Sequence, residues 1–282
     1  MSKPMVIGVV VLGGGALAVA LLTSGGGPAS PAVPSVPRQE PPSAAEPPAG
    51  GQTIPSGQPP LEADGQGAIS GTVLFEGTVP PPPALPVTQD KEKCGLGDTV
   101  ADESLLVDKE TKGLANAVIT LEPKEGKKGT VAGEKTVEFD QKKCLFTEHV
   151  QVVPAGATVD FKNSDTVGHN VNVQAVKNAN FNQTIEGGKS LQKKFDKEER
   201  ISVTCNIHPW MKGWLVVTDA PFSAKTDAKG GFKIENVPAG TYKVKVWQER
   251  IGAKKESWKG NFEVTVKDGE TAKLDFSGSF SK

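Results

Sequence analysis

The chain has 282 residues, only 37% of them hydrophobic, with 32 glycines and 22 prolines. That is too little apolar material, and too much that breaks regular structure, for the whole chain to share one core. Its 32 basic and 33 acidic residues leave a net charge of −1, which excludes the basic footprint of a dedicated nucleic-acid binder. Three cysteines are too few for a disulfide-built scaffold or a four-cysteine zinc or iron–sulfur site, yet enough for one bridge and one thiol left over.

In chain order, residues 1–24 open with a single cation, Lys3, followed by an apolar run over 5–22 and then Thr23, Ser24 and three glycines. Eighteen apolar residues at a helical rise just span a hydrocarbon core of roughly 30 Å, and Ala18-Val19-Ala20 offers a small-residue cleavage site. The segment therefore predicts export, either as a removed signal peptide or as a membrane anchor, and places the folded part in the periplasm or at the cell surface. No cysteine follows the run, which excludes a bacterial lipoprotein anchor. Residues 25–66 hold eleven prolines and seven glycines and few large apolar side chains, so they predict a disordered tether.

From residue 67 the pattern changes to short alternating runs at 69–75, 117–121, 150–153, 159–161, 201–205, 215–218, 242–246 and 262–266, separated by Gly, Pro, Asn and Asp. Such runs predict an all-β chain of sandwiches or barrels, with no helix of ordinary length. The lysine-rich stretches 124–135 and 189–200 are balanced by acids and read as solvated faces.

Chemistry concentrates in Cys205-Asn206-Ile207-His208-Pro209-Trp210-Met211, a CxxHxxM loop, and in His169 of Gly168-His169-Asn170-Val171. Strand parity sets Cys205 on the face of Ile201 and Val203, and His169 on that of Val171 and Val173, so both donors point to the apolar side. Two imidazoles, one thiolate and one thioether suit a trigonal copper site with a weak axial methionine. Zinc would recruit a fourth strong ligand, and hard cations would want several oxygens. A Cys205–His208 nucleophile and base pair lacks a third orienting group. Cys94 and Cys144 remain; in an exported chain they pair across about fifty residues, or else stay as two free thiols. His149 reads as an edge or surface residue in preference to part of a second metal site. Trp210 and Trp214 flank the ligand loop, where one covers the metal and the other packs in the core, or Trp210 forms a docking patch around His208.

Two resemblances follow from these residues. Residues 135–218, with the stretch from Val152 through Pro154-Ala155-Gly156 to Asn163 and the compact ligand loop, resemble a cupredoxin, and the loop is similar to that of the amicyanin subgroup except at Ile207, where that subgroup has proline. The resemblance implies one copper ion cycling between Cu(II) and Cu(I), His169, Cys205 and His208 as equatorial ligands, Met211 as the axial one, and electron exchange with redox partner proteins through the outward edge of His208. It also implies that Asn170 ties the ligand loops together, against a plain solvated asparagine. Ile207 keeps an amide that could donate to the Cys205 sulfur. Separately, Ala68-Ile69-Ser70-Gly71-Thr72-Val73 with 114–121, and Thr226-Asp227 to Phe232 with Val237-Pro238-Ala239-Gly240-Thr241-Tyr242, resemble the two halves of a carboxypeptidase regulatory-like (transthyretin-like) β-sandwich. The expected organisation is a first part of that sandwich at 67–122, a cupredoxin domain at 123–220 and the second part at 221–282, the alternative being two domains in tandem. The function implied is non-enzymatic electron transfer in the cell envelope; copper storage or delivery, or a scaffold with a structural copper, are the other readings.

Overall fold

The computed structural model describes residues 65–125 and 135–280; the segment 1–24 and all but the end of 25–66 lie outside them. Among the described residues the only helices are Lys91–Cys94 and the short 3-10 turn Lys255–Ser257, and none is long and apolar enough to cross a membrane. The described chain is otherwise strands, as the short alternating runs dictate.

Nine strands form one sandwich. Its first sheet runs in the order Phe181–Ile185, His169–Gln174, Glu199–Thr204, Lys212–Thr218, Val150–Pro154. The second runs Ser190–Phe195, Ala157–Asn163, Thr136–Lys142, Leu145–Phe146. Alternate residues meet between the sheets in a core of Phe139, Phe161, Phe195, Val171, Val173, Ile201, Val203 and Leu215. Cys205 and Met211 belong to the same cluster, so the ligand loop is built onto the end of the core rather than hung outside it.

A second pair of sheets uses residues from both ends of the described chain. One sheet has Gly231–Pro238, Gln66–Phe75, Phe276–Gly278 and Trp258–Gly260 in order, with Thr271–Lys273 also on Gln66–Phe75. The other has Phe222–Lys225, Val118–Pro123, Gly240–Trp247 and Glu263–Val266. One buried cluster, including Ile69, Val73, Leu114, Leu121, Phe232, Ile234, Val244 and Leu274, fills the space between them. Gly71 lets the first strand cross close under the last part of the chain: a Cβ there would sit 1.8 Å from the Leu274 carbonyl oxygen. Tyr242 ties this sandwich internally, its hydroxyl donating to the Pro238 carbonyl at 2.8 Å.

The two sandwiches share a small apolar seam of Val118, Val150, Val152, Val216 and Trp247, with Trp214 packed against it. Trp214 and Trp247 meet edge to face at 5.5 Å, and Lys225 reaches across to the Val150 carbonyl at 3.1 Å. Trp214 is thus a seam residue, and Trp210 is the tryptophan at the ligand loop.

A third small element matters for the site. Ala84–Pro86 pairs antiparallel with Thr99–Ala101, and the helix Lys91–Cys94 lies between them. Val87 and Cys94 from this segment are buried in the first sandwich's core, and a disulfide joins Cys94 to Cys144.

Candidate metal centre

His169 opens its strand, so its ring lies at the end of the sheet, with Val171 and Val173 behind it in the core. Cys205 follows the strand Glu199–Thr204 directly. From there a tight turn returns the chain: the Cys205 amide donates to the Met211 carbonyl at 3.2 Å and the Met211 amide to the His208 carbonyl at 2.9 Å. This geometry gathers His169, Cys205 and His208, whose ligand atoms all lie within 4.8 Å of one another. The two Nδ1 atoms face each other at 2.9 Å, and the Cys205 sulfur lies 3.9 Å from His208 Nδ1. Met211 is buried in the same cluster. None of these four side chains is more than 2% exposed.

Both imidazoles are oriented from outside by carboxylates. His169 Nε2 bonds Asp165 at 2.8 Å and His208 Nε2 bonds Asp90 at 3.2 Å. A carboxylate on each outer nitrogen favours the Nε2–H tautomer, the one that presents Nδ1 to a metal. Burial holds the His208 imidazole below its ordinary pKa despite Asp90, which favours the neutral ring that ligation needs. Burial alone would lower His169 too, but Cys205 and Asp165 raise it above its ordinary value. Burial pushes the Cys205 thiol up, yet the His169 ring and neighbouring backbone amides outweigh it and bring it below the usual thiol range, which favours the thiolate.

Asn170 is buried and joins the two ligand segments. Its Oδ1 accepts from the amides of Asn206 at 2.7 Å and Ile207 at 3.1 Å and lies 3.4 Å from the Cys205 sulfur. The Ile207 amide therefore serves Asn170. The His208 amide donates to the sulfur at 3.4 Å, and the Ile207 amide joins it among the backbone groups that favour the Cys205 thiolate.

Two expectations change. The edge of His208 does not face outward; it lies beneath the 84–101 segment, against Asp90 on one side and Trp210 on another, the latter ring at 5.1 Å. His149 is buried rather than exposed, hydrogen-bonded to Glu249 and 3.6 Å from Glu103. Beside it a void of about 20 Å³, lined in part by Met211, Trp210, His149 and Glu103, has room for a single water.

Sequence reasoning missed Asp90, Asp165 and Asn163. Asp165 precedes His169 by four residues and was findable as a nearby carboxylate. Asn163 shapes the loop that presents it, donating to the carbonyls of Val167 and Ile185 and accepting from the Asp165 amide at 3.0 Å. Asp90 lies 118 residues before His208, and nothing in the local sequence signals it.

Residues 133–218 match the family of copper binding proteins described as plastocyanin/azurin. This stretch of the chain is a cupredoxin. The chain accordingly binds copper, and the donor chemistry of the centre fits that metal: two inward nitrogens, a favoured thiolate and a buried thioether. A second family match, polysaccharide lyase family 4 domain II, covers 206–274. It begins inside the cupredoxin match and covers most of 221–282, the stretch expected to hold the second part of a carboxypeptidase regulatory-like sandwich, but the family it names is a different one. Comparison with curated proteins finds no match. Similar solved structures include a copper-containing nitrite reductase from Thermus scotoductus, 24% identical over 34% of this chain and 25% of that one, with a TM-score of 0.29. A purple cupredoxin from Nitrosopumilus maritimus is 22% identical over 30% of this chain and all of its own, TM-score 0.26. Amicyanin from Paracoccus versutus is 19% identical over 36% of this chain and 97% of its own, TM-score 0.26. The cupredoxin spans about a quarter of the nitrite reductase it is similar to.

Proposed function

We propose that the chain is an exported one-electron carrier of the cell envelope, with a single type I copper that His169, Cys205, His208 and Met211 would hold. The observation that carries this reading is the convergence of one thiol and two imidazoles within 4.8 Å in a closed, apolar end of the core. When bound there, copper supplies a one-electron couple. The protein's part is to keep the same ligand positions in both oxidation states, so that little reorganises on transfer. Asn170 ties the thiol's loop to the strand of His169, and Asp165 and Asp90 fix the two rings. Burial of all four side chains leaves no open position for a substrate, which favours electron transfer over catalysis and over a delivery role that needs the metal to come and go. The way out passes from His208 through its hydrogen bond to the half-buried Asp90, one contact from solvent.

The apolar run at 5–22 supports export and attachment or release at the membrane, and the disulfide fits an oxidising compartment. The test is a visible spectrum and voltammogram of the Cu(II)-loaded full chain. Intense thiolate charge-transfer absorption that is lost in Cys205→Ser, together with a reversible one-electron wave, is expected. A colourless copper complex would overturn the type I assignment.

A further inference from the structure

The carboxylate on His208 comes from outside the cupredoxin match, which spans 133–218. Asp90 stands immediately before the helix Lys91–Cys94, at φ 50° and ψ 22°. Its carbonyl accepts from the Cys94 amide at 2.8 Å, and Cys94 is bonded through its disulfide to Cys144. Its carboxylate is divided between two partners: Oδ1 lies 3.3 Å from the Lys93 ammonium, and Oδ2 is left for His208 Nε2 at 3.2 Å. The backbone, the covalent link and the ion pair thus all aim one oxygen at one ring nitrogen, and that ring is wholly buried.

From this geometry we infer that Asp90 is a positioning residue for the copper centre, which locks His208 with Nδ1 inward and makes it a stronger donor to the oxidised metal. The inference rests on the type I reading above. A carboxylate accepting from the far N–H of a ligating imidazole fixes its tautomer and raises its basicity, and losing such a partner weakens metal binding by about 10- to 100-fold. A more basic nitrogen favours the more highly charged ion, so Asp90 favours Cu(II) over Cu(I) and lowers the reduction potential. Residues 84–101 are then a functional part of the centre rather than a linker leading to it.

The left-handed backbone at Asp90 decides which variants test this. Alanine would strain that conformation, whereas glycine and asparagine accept it, so Asp90→Gly removes the carboxylate and Asp90→Asn keeps a neutral acceptor in its place. The full chain is titrated with Cu(II) and Cu(I) against competing chelators, and the metal-free protein is examined by nitrogen NMR of the His208 ring. Asp90→Gly is expected to weaken Cu(II) at least tenfold more than Cu(I), raising the potential by about 59 mV for each tenfold difference. In the metal-free protein it should convert a single Nε2–H tautomer into a mixture. Asp90→Asn is expected to restore most of the affinity and the single tautomer. Unchanged affinities and tautomer in Asp90→Gly would overturn the proposal. Equal losses for both oxidation states with no rescue by asparagine would do the same, because that is what a purely structural cap gives. A wild-type chain that takes up copper without the thiolate band would instead sink the reading on which the proposal rests.

Discussion

The Cys144 amide donates at 2.8 Å to Asp165 Oδ2, the same oxygen that bonds His169. Cys144 is also the disulfide partner of Cys94, four residues after the aspartate that holds His208. Both outer imidazole nitrogens are therefore tied to opposite ends of one covalent bridge, and Trp210 adds a third tie by donating from its indole nitrogen to the Cys144 carbonyl at 2.9 Å.

Removing that bridge should loosen the centre as well as the fold. The double variant Cys94→Ser with Cys144→Ser opens a loop of 50 residues, and its unfolding free energy is expected to fall by about 4 kcal/mol in the chain-entropy model. Copper extraction by a chelator should quicken in parallel. Denaturant titration measures the first and loss of visible colour with time the second; extraction at the wild-type rate would show that the segment 84–101 holds its place without the bridge.

Asn170 offers a test of how the ligand loop is held. Asn170→Ala leaves the amides of Asn206 and Ile207 without their acceptor and is expected to cost about 2 kcal/mol. It should also broaden the charge-transfer band, since Cys205 and His169 would no longer be kept in fixed register. Chemical denaturation and the visible spectrum check this, and a native-like band with unchanged stability would contradict it.

Removing one donor separates metal chemistry from folding. His169→Ala is expected to abolish the thiolate band while leaving the circular dichroism of a β protein, because the core behind it is formed by Val171, Val173, Ile201 and Val203. The metal-free variant should melt within about 10 °C of metal-free wild type, because a cavity partly open to collapse costs on the order of 2 kcal/mol. An intact blue spectrum would exclude His169 as a ligand.

Tyr242 predicts a pH dependence outside the metal centre. It is the single tyrosine of the chain, and burial pushes its phenol up to about 12. A phenol whose folded pKa lies above its unfolded value holds its proton longer in the native state, so its contribution to stability is full below about pH 10 and is lost above it as the unfolded chain ionises first. Ultraviolet titration should show little phenolate in the native protein until near pH 12, and the alkaline decline should be shallower in Tyr242→Phe, which itself costs about 1 kcal/mol through the lost bond to Pro238.

Much of this was legible in the sequence because strand parity is local. The positions of Val171 and Val173 tell where His169 points, and those of Ile201 and Val203 do the same for Cys205. The strands Thr136–Lys142 and Phe181–Ile185 were not visible because Asp140 and Gln141 are buried polar residues, and Asn182, Gln183 and Thr184 line an exposed edge, so neither segment shows clean alternation. His149 escaped for a similar reason: its burial is made tolerable by Glu249 and Glu103, one of which is a hundred residues away. The cover over His208 depends on a contact across 118 residues, and periodicity carries no information at that range.

The pairing of Val73, Leu74 and Phe75 with Phe276, Ser277 and Gly278 runs parallel, so the segment entering at Gln66 and the one leaving at Gly278 point in opposite directions along neighbouring strands. Tension between those two segments slides the strands past each other lengthwise and loads all of their hydrogen bonds together. The strands that lead to His169 and Cys205 lie between Val118–Pro123 and Phe222–Lys225 in the chain, two segments that are themselves paired, so a pull on the outer ends is borne by the outer strands first, and the candidate metal centre sits out of the line of force.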